Sequence, residues 1–462
     1  MPWARLATAG VATAAMLASA PAPALARAVP AIRTAGPAVL ACRPDSAARI
    51  RRSWAGRGPR TTATRRALLA LLATCRHARL QAAVDAAGPG TRVLVAPGVY
   101  REAVRIRGRR RQLEGLGRRA RDVVVRGDRR ADDVIRAEHA DGLVIANLTA
   151  EQAAASDVHV VRTDGFRAHR IVVRWSQHDG VRTDDADHGL LDRVEAYGNG
   201  AAGLHAGPGA EGRCSGGSGL EVRAANAYGN VLGLWAAAGD AIWVHGSRFA
   251  DNATGAVSEP VGPATPHGCS RWEHDSIAAN NADLFAGAAA CRAEPFARRR
   301  PGLVCPRVAT PVGTGLLLRG VNGARVRANA IYGNWRAGVR LAWLPAAARG
   351  QRAATRQYDT SNANRFEGNR LGVHLDGARD ANGTDLVWDG EGAGNCWSAN
   401  GGASGATPTS DPATLPSCPR GSLFGMGDAT AQALEVPCAA WDPQRAPDPP
   451  GCDWLAAPAP PP

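Results

Sequence analysis

The densest acidic cluster near the middle of the chain is Thr183-Asp184-Asp185-Ala186-Asp187-His188. Paired carboxylates can act as general acid and base in glycoside hydrolysis. Carboxylate oxygens are also the ligands that Ca²⁺ takes in proteins. The same residues fit an ordinary polar turn between two strands. The sequence therefore leaves three interpretations of Asp184, Asp185 and Asp187 open: a catalytic site, a calcium or ligand-binding site, and a turn.

Three further residues with suitable chemistry occupy one position of a repeated Gly-apolar-x-small pattern. Arg182, His205 and Trp235 each follow a glycine and an apolar residue. Side chains alternate between the two faces of a strand, so these three should point outward if their apolar neighbours point inward. Strands of adjacent coils lie about 4.8 Å apart. Arginine can bind a carboxylate bidentately, and aromatic rings stack on sugars, so the row predicts a strip for an acidic sugar.

These residues belong to a chain that repeats itself. Similar segments begin at Gly142, Gly165, Gly189 and Gly219, with spacings of 23, 24 and 30 residues. Each repeat consists of short strands and turns, with no helix between them. Such a period, about 22 residues, is typical of a parallel β-helix. We therefore predict an all-β fold, a single-stranded right-handed parallel β-helix of roughly ten coils.

One turn of the repeat has its own sequence signature. The tetrapeptide AYGN occurs twice and IYGN once. Asparagine tolerates the left-handed conformation of tight corners, and its amide can bond to the same group in the next coil. The predicted corner residues are Asn199, Asn230, Asn252, Asn280, Asn334 and Asn369. Tyr197, Tyr228 and Tyr332 fall at one register, so we expect them to stack.

The chain divides into five predicted segments. Residues 1–26 combine one arginine, an apolar run and a small-residue cleavage site, which is typical of a secretory signal peptide. Residues 27–60 read as a poorly ordered leader, 61–90 as an N-terminal helical cap, 91–400 as the β-helix, and 401–462 as a Cys- and Pro-rich C-terminal cap and tail. No later stretch reaches the roughly 18 apolar residues of a membrane span. We expect a secreted protein without a membrane span.

Ten cysteines, an even number, follow the predicted signal peptide. In an exported protein this favours disulfides, and the absence of a Cys-x-x-Cys motif disfavours a zinc site. Proximity in the sequence suggests the bridges Cys42–Cys75, Cys214–Cys269 and Cys291–Cys305, with two more among Cys396, Cys418, Cys438 and Cys452. The sequence alone does not fix this pairing.

The chain is strongly basic, with a formal net charge of +14, and all of its basic charge comes from arginine. Residues 101–130 contain twelve arginines against four acidic residues. A basic patch attracts polyanions, although solvated loop charge gives the same composition. Nucleic acid is a poor candidate for an exported chain, and these arginines lack the interleaved aromatic residues of single-strand binders. The predicted partner is an acidic polysaccharide or another cell-envelope polymer.

Two stretches carry a resemblance to a known family. VLVAPGVYREAVRI at 93–106 resembles the opening coil of secreted right-handed parallel β-helix proteins of the pectate-lyase-like superfamily. DHGLLDRVEAYGNGAAGLHAG at 187–207 and the cysteine-rich ending are similar to an uncharacterised group of exported bacterial β-helix proteins. The resemblance implies a parallel β-helix fold. Enzymes of this superfamily act on acidic polysaccharides. The sequence lacks the Trp-Ile-Asp-His stretch of pectate lyases. It also lacks the Asn-Thr-Asp and Gly-His-Gly stretches of polygalacturonases. The shared fold alone therefore does not predict an enzymatic activity.

Two functions fit these observations. The favoured one is non-catalytic binding of an acidic polysaccharide, with Arg182, Asp184, Asp185, Asp187, His205 and Trp235 as the candidate ligand-binding residues. The alternative is a polysaccharide lyase or glycoside hydrolase acting on a uronate-containing glycan, in which the aspartates and His205 perform the chemistry and Arg182 positions the uronate. No cofactor is predicted beyond the calcium that the acidic cluster could hold. Enzymatic activity and oligomeric state stay open.

Overall fold

The structure is a computed structural model of the 462-residue chain. It describes residues 37–56, 58–207, 219–237, 241–260, 267–343, 361–428, 438, 441–443, 445–447 and 451–462. The predicted signal peptide and Cys214 lie outside these residues. Among the described helices, none is long and apolar enough to cross a membrane.

Three long parallel sheets wind around one core, and the chain visits sheets A, B and C in turn. Sheet A consists of Ala38–Ala41, Arg92–Val95, Gln112–Gly115, Val144–Ala146, Arg167–His169, Leu190–Asp192, Glu221–Arg223, Trp243–His245, Arg271–Glu273, Arg325–Arg327, Arg365–Glu367 and Cys396–Ser398. Sheet B consists of Gly98–Arg101, Val123–Arg126, Thr149–Glu151, Val172–Arg174, Glu195–Tyr197, Asn226–Tyr228, Arg248–Ala250, Ser276–Ala278, Ala330–Tyr332 and Arg370–Leu371. Sheet C consists of Val104–Arg107, Asp133–Glu138, Ser156–Val161, Asp179–Asp184, Ala202–Ala206, Leu232–Ala237, Thr254–Glu259, Thr314–Arg319, Ala337–Ala342, Leu386–Trp388 and Ser410–Asp411. The predicted right-handed parallel β-helix is confirmed.

Few other elements accompany the sheets. His267–Gly268 pairs with Val321–Asn322 as a separate two-stranded sheet. The α-helices are Ser46–Ser53, Pro59–Leu72, Leu80–Ala86 and Ala288–Ala293, and the 3₁₀ helices are Ala120–Asp122, Phe296–Arg298, Ala403–Gly405 and Asp453–Leu455. Alternate residues of each strand face inward, and rings stack there along the axis. Phe366 and Trp397, on adjacent coils, have centroids 5.1 Å apart and planes within 7°.

The prediction of a poorly ordered leader at 27–60 is wrong for residues 38–53. Ala38–Ala41 pairs in parallel with Arg92–Val95, and Ser46–Ser53 is helical. Leu40 and Ala41 are buried. The first coil would otherwise expose a raw sheet edge, and a short apolar strand covers it. The Pro- and Ala-rich composition of this region gave no sequence signal for the four-residue strand.

Buried asparagines connect the coils at the corner between sheets B and C. Asn199 Nδ2 donates to Asn230 Oδ1 at 2.8 Å, and Asn230 Nδ2 donates to Asn252 Oδ1 at 3.1 Å. The ladder continues through Asn280, Asn334 and Asn382. Asn369 was wrongly assigned to this corner. It belongs to a second ladder, between sheets A and B, with Asn329 and Asn400.

The left-handed residue of the first corner is the one before each asparagine. Gly198, Gly229 and Gly333 have positive φ, as do Asp251 and Ala279 at the equivalent positions. This backbone turn leaves the asparagine side chain free to point into the ladder. Just before this corner, the rings of Tyr197 and Tyr228 stack with centroids 5.0 Å apart. Tyr332 shares their register but is separated from them by the coils that carry Ala250 and Ala278.

Disulfides fasten the ends and the insertions. The bridges Cys42–Cys75 and Cys291–Cys305 are pairs that proximity in the sequence suggested. The four C-terminal cysteines form Cys396–Cys418 and Cys438–Cys452. Cys269 is also disulfide-bonded. Cys42–Cys75 joins the first strand to the N-terminal helices, and Cys396–Cys418 ties the last strand of sheet A to the C-terminal segment.

The second ladder contains one acid in place of an amide. Asp275 Oδ1 accepts a hydrogen bond from the Ser247 backbone N–H at 2.8 Å, and the Asp275 backbone N–H donates to Asn329 Oδ1 at 2.9 Å. Its Oδ2 is buried and has no hydrogen-bond partner. Burial raises the pKa of Asp275 well above its ordinary value. The fold therefore favours the neutral carboxyl, which resembles the amide of its neighbours.

Asp275→Asn should stabilise the protein by about 1 kcal/mol at neutral pH, because the amide needs no proton to stay neutral and adds an N–H donor. A raised folded-state pKa contributes stability below the unfolded value, about 3.9, and that stability is lost as the pH rises. The advantage of the variant should therefore grow from pH 4 to pH 7.5, as measured by chemical denaturation. The reverse change, Asn329→Asp, should destabilise. Equal stability of wild type and Asp275→Asn at pH 7.5 would contradict the assignment.

Candidate functional site

The outward face of sheet C carries a row of basic side chains, one from each of four successive coils. Arg105 lies opposite Arg136, Arg136 opposite His159, and His159 opposite Arg182. The inward neighbours Val104, Ile135, Val158 and Val181 are fully buried and fix the register. We call Arg105, Arg136, His159 and Arg182 the sheet C row.

His159 is held between two carboxylates. Its Nδ1 lies 2.9 Å from Asp133 Oδ2 and 3.0 Å from Arg136 Nη1, and its Nε2 lies 2.8 Å from Asp184 Oδ2. Arg136 Nη1 also donates to Asp133 Oδ2 at 2.9 Å, so Arg136 and His159 share this acceptor. Arg182 completes the chain with a bidentate contact, from Nε and Nη2 to the two oxygens of Asp184, at 2.8 and 3.2 Å. The result is an alternating series of positive and negative groups.

This arrangement keeps its members ionised. Burial alone would lower the pKa of His159, but the hydrogen bonds to Asp133 and Asp184 outweigh it and raise the pKa. Burial likewise opposes ionisation of the two aspartates. Hydrogen bonds and charge from His159 and the adjacent guanidinium groups nevertheless lower the pKa of Asp133, and they lower that of Asp184 to about 2. The three arginines of the sheet C row are cationic, the raised pKa of His159 favours its protonated form, and the supporting acids are carboxylates.

His205 and Trp235 continue the register but not the open surface. His205 lies opposite Arg182 and Trp235 opposite His205, and their rings stack at 4.5 Å. His205 Nδ1 contacts Asp179 Oδ2 at 2.9 Å, and its residue is only 6% exposed. Trp235 Nε1 donates to Glu259 at 3.1 Å. The sequence predicted one continuous strip, but the structure buries its second half.

The covering layer comes from distant parts of the chain. The outward residues Val257 and Leu317 of sheet C and Leu232, which begins a sheet C strand, belong to one apolar cluster, and Trp235 packs against it. The cluster also contains Phe285, Val312, Cys438, Cys452 and Leu455. The backbone N–H of Val312 donates to the Trp454 carbonyl at 2.9 Å. The C-terminal segment and the insertion after sheet B therefore sit over this half of the face. Only the half with the sheet C row faces solvent.

The remaining acidic candidates do not join the site. Asp185 is exposed, and Asp187 lies at the turn toward sheet A. The Asp187 backbone N–H donates to Asp164 Oδ1 at 3.1 Å, and burial together with the charge of Asp164 raises the pKa of Asp187. Asp184 instead points toward His159. Among the described residues, no group of three or more His, Cys, Asp or Glu side chains has a geometry that could hold a metal ion, so Asp184, Asp185 and Asp187 do not converge on a calcium site.

Sequence reasoning missed Asp133, Arg136 and His159. A signal was present, because Arg136, His159 and Arg182 follow one another at intervals of 23 residues. The segments around Arg136 and His159 lack the Gly-apolar-x-small pattern that revealed Arg182, His205 and Trp235. Extending the 23-residue period backward from Arg182 finds both residues.

Comparisons with known proteins agree on the fold. No protein-family model and no curated protein matches the sequence. Among solved structures, the chain is similar to the A-module of mannuronan C-5 epimerase AlgE4 from Azotobacter vinelandii, with 17% identity, a TM-score of 0.51, and coverage of 75% of this chain and 95% of that one. The A-module of the epimerase AlgE6 from the same organism has 17% identity and a TM-score of 0.45, covering 72% and 92%. Pectate lyase Pel9A has 12% identity and a TM-score of 0.33, covering 73% and 75%. The chain thus has the right-handed parallel β-helix fold of the AlgE4 A-module, in agreement with its three parallel sheets.

Replacing Asp184 with asparagine should destabilise the protein by roughly 1–2 kcal/mol at pH 6, after allowance for solvent screening of a partly exposed pair. Asp185→Asn is the matched control, because the neighbouring carboxylate is exposed. The lowered pKa of Asp184 gives stability above about pH 3.9 that is lost as the pH falls toward 2. Urea denaturation of wild type and of both variants between pH 3 and pH 9 measures the size of the loss and its dependence on pH. Equal effects of the two substitutions would contradict the paired geometry.

The raised pKa of His159 makes the opposite contribution. Its stability is complete below the unfolded value of about 6.5, and it is lost as the pH rises through the folded value. The same denaturation series should therefore show an alkaline loss that His159→Gln removes.

Proposed function

We propose that this protein binds an acidic polysaccharide at the sheet C row without chemically changing it. The observation that carries the proposal is the in-register row of Arg105, Arg136, His159 and Arg182, in which hydrogen bonds to Asp133 and Asp184 favour the protonated histidine. Successive coils present one positive group about every 4.8 Å. A polyuronate presents carboxylates at a comparable repeat along an extended chain.

The guanidinium groups keep donors for a ligand. Arg182 uses Nε and Nη2 for Asp184, which leaves Nη1 for an incoming carboxylate. The side chains of Arg136 and Arg182 are 32% and 40% exposed. The carboxylates behind them fix their orientation, so little side-chain freedom remains to be lost on binding. This pre-organisation supports recognition of a carboxylated sugar.

The ionisation states support binding over acid–base chemistry. A general acid or base works best with a pKa near the operating pH. The pKa of Asp184 is about 2 and that of Asp133 is also lowered, so neither carboxylate carries a proton to donate at neutral pH. Both ring nitrogens of His159 lie within hydrogen-bond distance of carboxylates, so neither is open to a substrate. The hydrolase arrangement of Asp184, Asp185, Asp187 and His205 would require groups that lie apart in this fold.

Two further observations support the ligand and the location. The AlgE4 A-module, which shares the fold, is named for mannuronan, and mannuronan is a polyuronate. The predicted signal peptide and the disulfides support export, because such bridges persist in oxidising compartments. We place the protein outside the cytoplasm, where acidic envelope and matrix polysaccharides occur.

The test is a panel of alginate, polygalacturonate and neutral dextran, each with and without calcium. We expect binding of the uronates only, with an affinity that falls as salt rises. Arg136→Gln with Arg182→Gln should weaken that binding roughly five- to tenfold. Arg51→Gln with Arg52→Gln removes the same charge from an exposed helix and should change it little. Affinity should also fall as the pH rises through the raised pKa of His159.

The same incubations test catalysis. A lyase produces unsaturated ends that absorb in the ultraviolet, a hydrolase produces new reducing ends, and an epimerase changes the ratio of uronate isomers seen by NMR. Any such product that disappears in Asp184→Asn would overturn the non-catalytic assignment. Equal affinities of wild type and the double arginine variant would overturn the assignment to the sheet C row.

A further inference from the structure

A second row of charge lies on sheet A, on a different face of the solenoid. Trp243 lies opposite Arg271, Arg271 opposite Arg325, and Arg325 opposite Arg365. All four side chains point outward and are exposed, and Trp243 is 38% exposed. We call these four residues the sheet A strip. They come from four successive coils, so the strip runs along the solenoid axis.

The arginines of the strip lack acidic partners. Within the described residues, no carboxylate lies within ion-pair distance of Arg271, Arg325 or Arg365, although many other arginines of the chain are paired. Like charges on adjacent strands repel one another. Three stacked guanidinium groups therefore cost stability in the free protein. An arrangement that costs stability and faces solvent points to a function.

A second outward row on sheet A, next to the strip, carries acidic side chains that lower the local positive charge. Glu273 lies opposite Arg327, and Arg327 opposite Glu367. A pocket of about 140 Å³ opens between the two rows and is lined by Glu273, Arg325, Val326, Arg327, Arg365 and Glu367. The surface therefore offers guanidinium donors on one side and alternating acceptors and donors on the other. That mixture suits a ligand with both carboxylates and hydroxyl groups.

The strip stands on a rigid part of the fold. The inward neighbours Trp272, Val326 and Phe366 are fully buried. An asparagine ladder borders the strands at each end, with Asn364 Nδ2 donating to Asn395 Oδ1 at 3.0 Å on one side. On the other side, Asn329 Nδ2 donates to Asn369 Oδ1 at 3.0 Å. The backbone thus holds the guanidinium groups at the coil spacing of about 4.8 Å, and binding does not have to order it.

We propose that the sheet A strip binds a linear carboxylated polysaccharide running along the solenoid axis. The carboxylates of successive or alternate sugars bind to Arg271, Arg325 and Arg365. This fits because the length of one sugar residue in an extended chain is similar to the spacing between adjacent coils. Trp243 lies at the end of the row, where its ring stacks on His245 with centroids 4.2 Å apart and its Nε1 donates to Glu273 at 3.1 Å. The exposed part of this ring offers an apolar contact for a sugar. Glu273 and Glu367 lower the charge density, which disfavours a densely charged phosphate polymer. This proposal does not rest on the function proposed for the sheet C row.

The test uses an oligogalacturonate of defined length, measured calorimetrically at low ionic strength in the Arg136→Gln/Arg182→Gln background. That background removes two of the four positive groups of the sheet C row, so a further loss of affinity caused by substitutions on sheet A reports the other surface. Adding Arg325→Gln and Arg365→Gln should weaken the remaining affinity roughly tenfold and flatten its salt dependence. Arg51→Gln with Arg52→Gln removes equal charge from an exposed helix outside the sheets and should change the affinity less than twofold.

Two further measurements test whether the variant still folds and which class of ligand the strip binds. Because the arginines repel one another, the Arg325→Gln/Arg365→Gln variant should melt at the same temperature as wild type or higher, which separates lost binding from lost folding. Polyphosphate and neutral dextran of similar length form two further arms, and neither should lose affinity through the strip variant as the oligogalacturonate does. An unchanged oligogalacturonate affinity, an equal effect of the control pair, or a larger effect on polyphosphate would each overturn the proposal.

Discussion

The structure depends on hydrogen bonds that run parallel to the solenoid axis. Within each sheet, strands bond to the strands of neighbouring coils, and at the corners buried asparagine side chains repeat the pattern. An unpaired buried amide would cost about 1–3 kcal/mol, so each coil must place its corner in register with its neighbours. Insertions are consequently confined to the turns, and the strands remain aligned whatever the length of the loops between them.

This alignment converts spacing in the sequence into position on the surface. Residues 23 positions apart become neighbours in a row, as Arg136, His159 and Arg182 do on sheet C. A solenoid therefore builds linear surfaces, and linear surfaces suit linear polymers. On sheet C the charges are supported by Asp133 and Asp184, whereas on sheet A Arg271, Arg325 and Arg365 stand without acidic partners. The two rows should therefore respond differently to pH, because only the sheet C row contains a histidine.

The ends of the chain decide which surfaces are open. The N-terminal strand Ala38–Ala41 covers one end of sheet A, and Cys438, Cys452 and Leu455 pack over the outward face of sheet C. Partial burial of Trp235 against that cluster leaves the sheet C row short, ending near Arg182. The apolar residues Val257 and Leu317, which continue the row, are consistent with a face that is covered rather than solvated.

The sequence by itself determined the coil. The recurring glycines and the asparagines of the AYGN corners carry the period, because only small or amide residues satisfy a tight turn whose polar groups are buried. The pattern also placed Arg182, His205 and Trp235 in one row correctly. It could not show that residues more than 200 positions later lie over Trp235, nor that Asp133 and Asp184 enclose His159. Those contacts join segments with no common pattern, and packing in three dimensions alone decides them. Register is a local and repeated property, whereas exposure and ionisation depend on everything that surrounds a side chain.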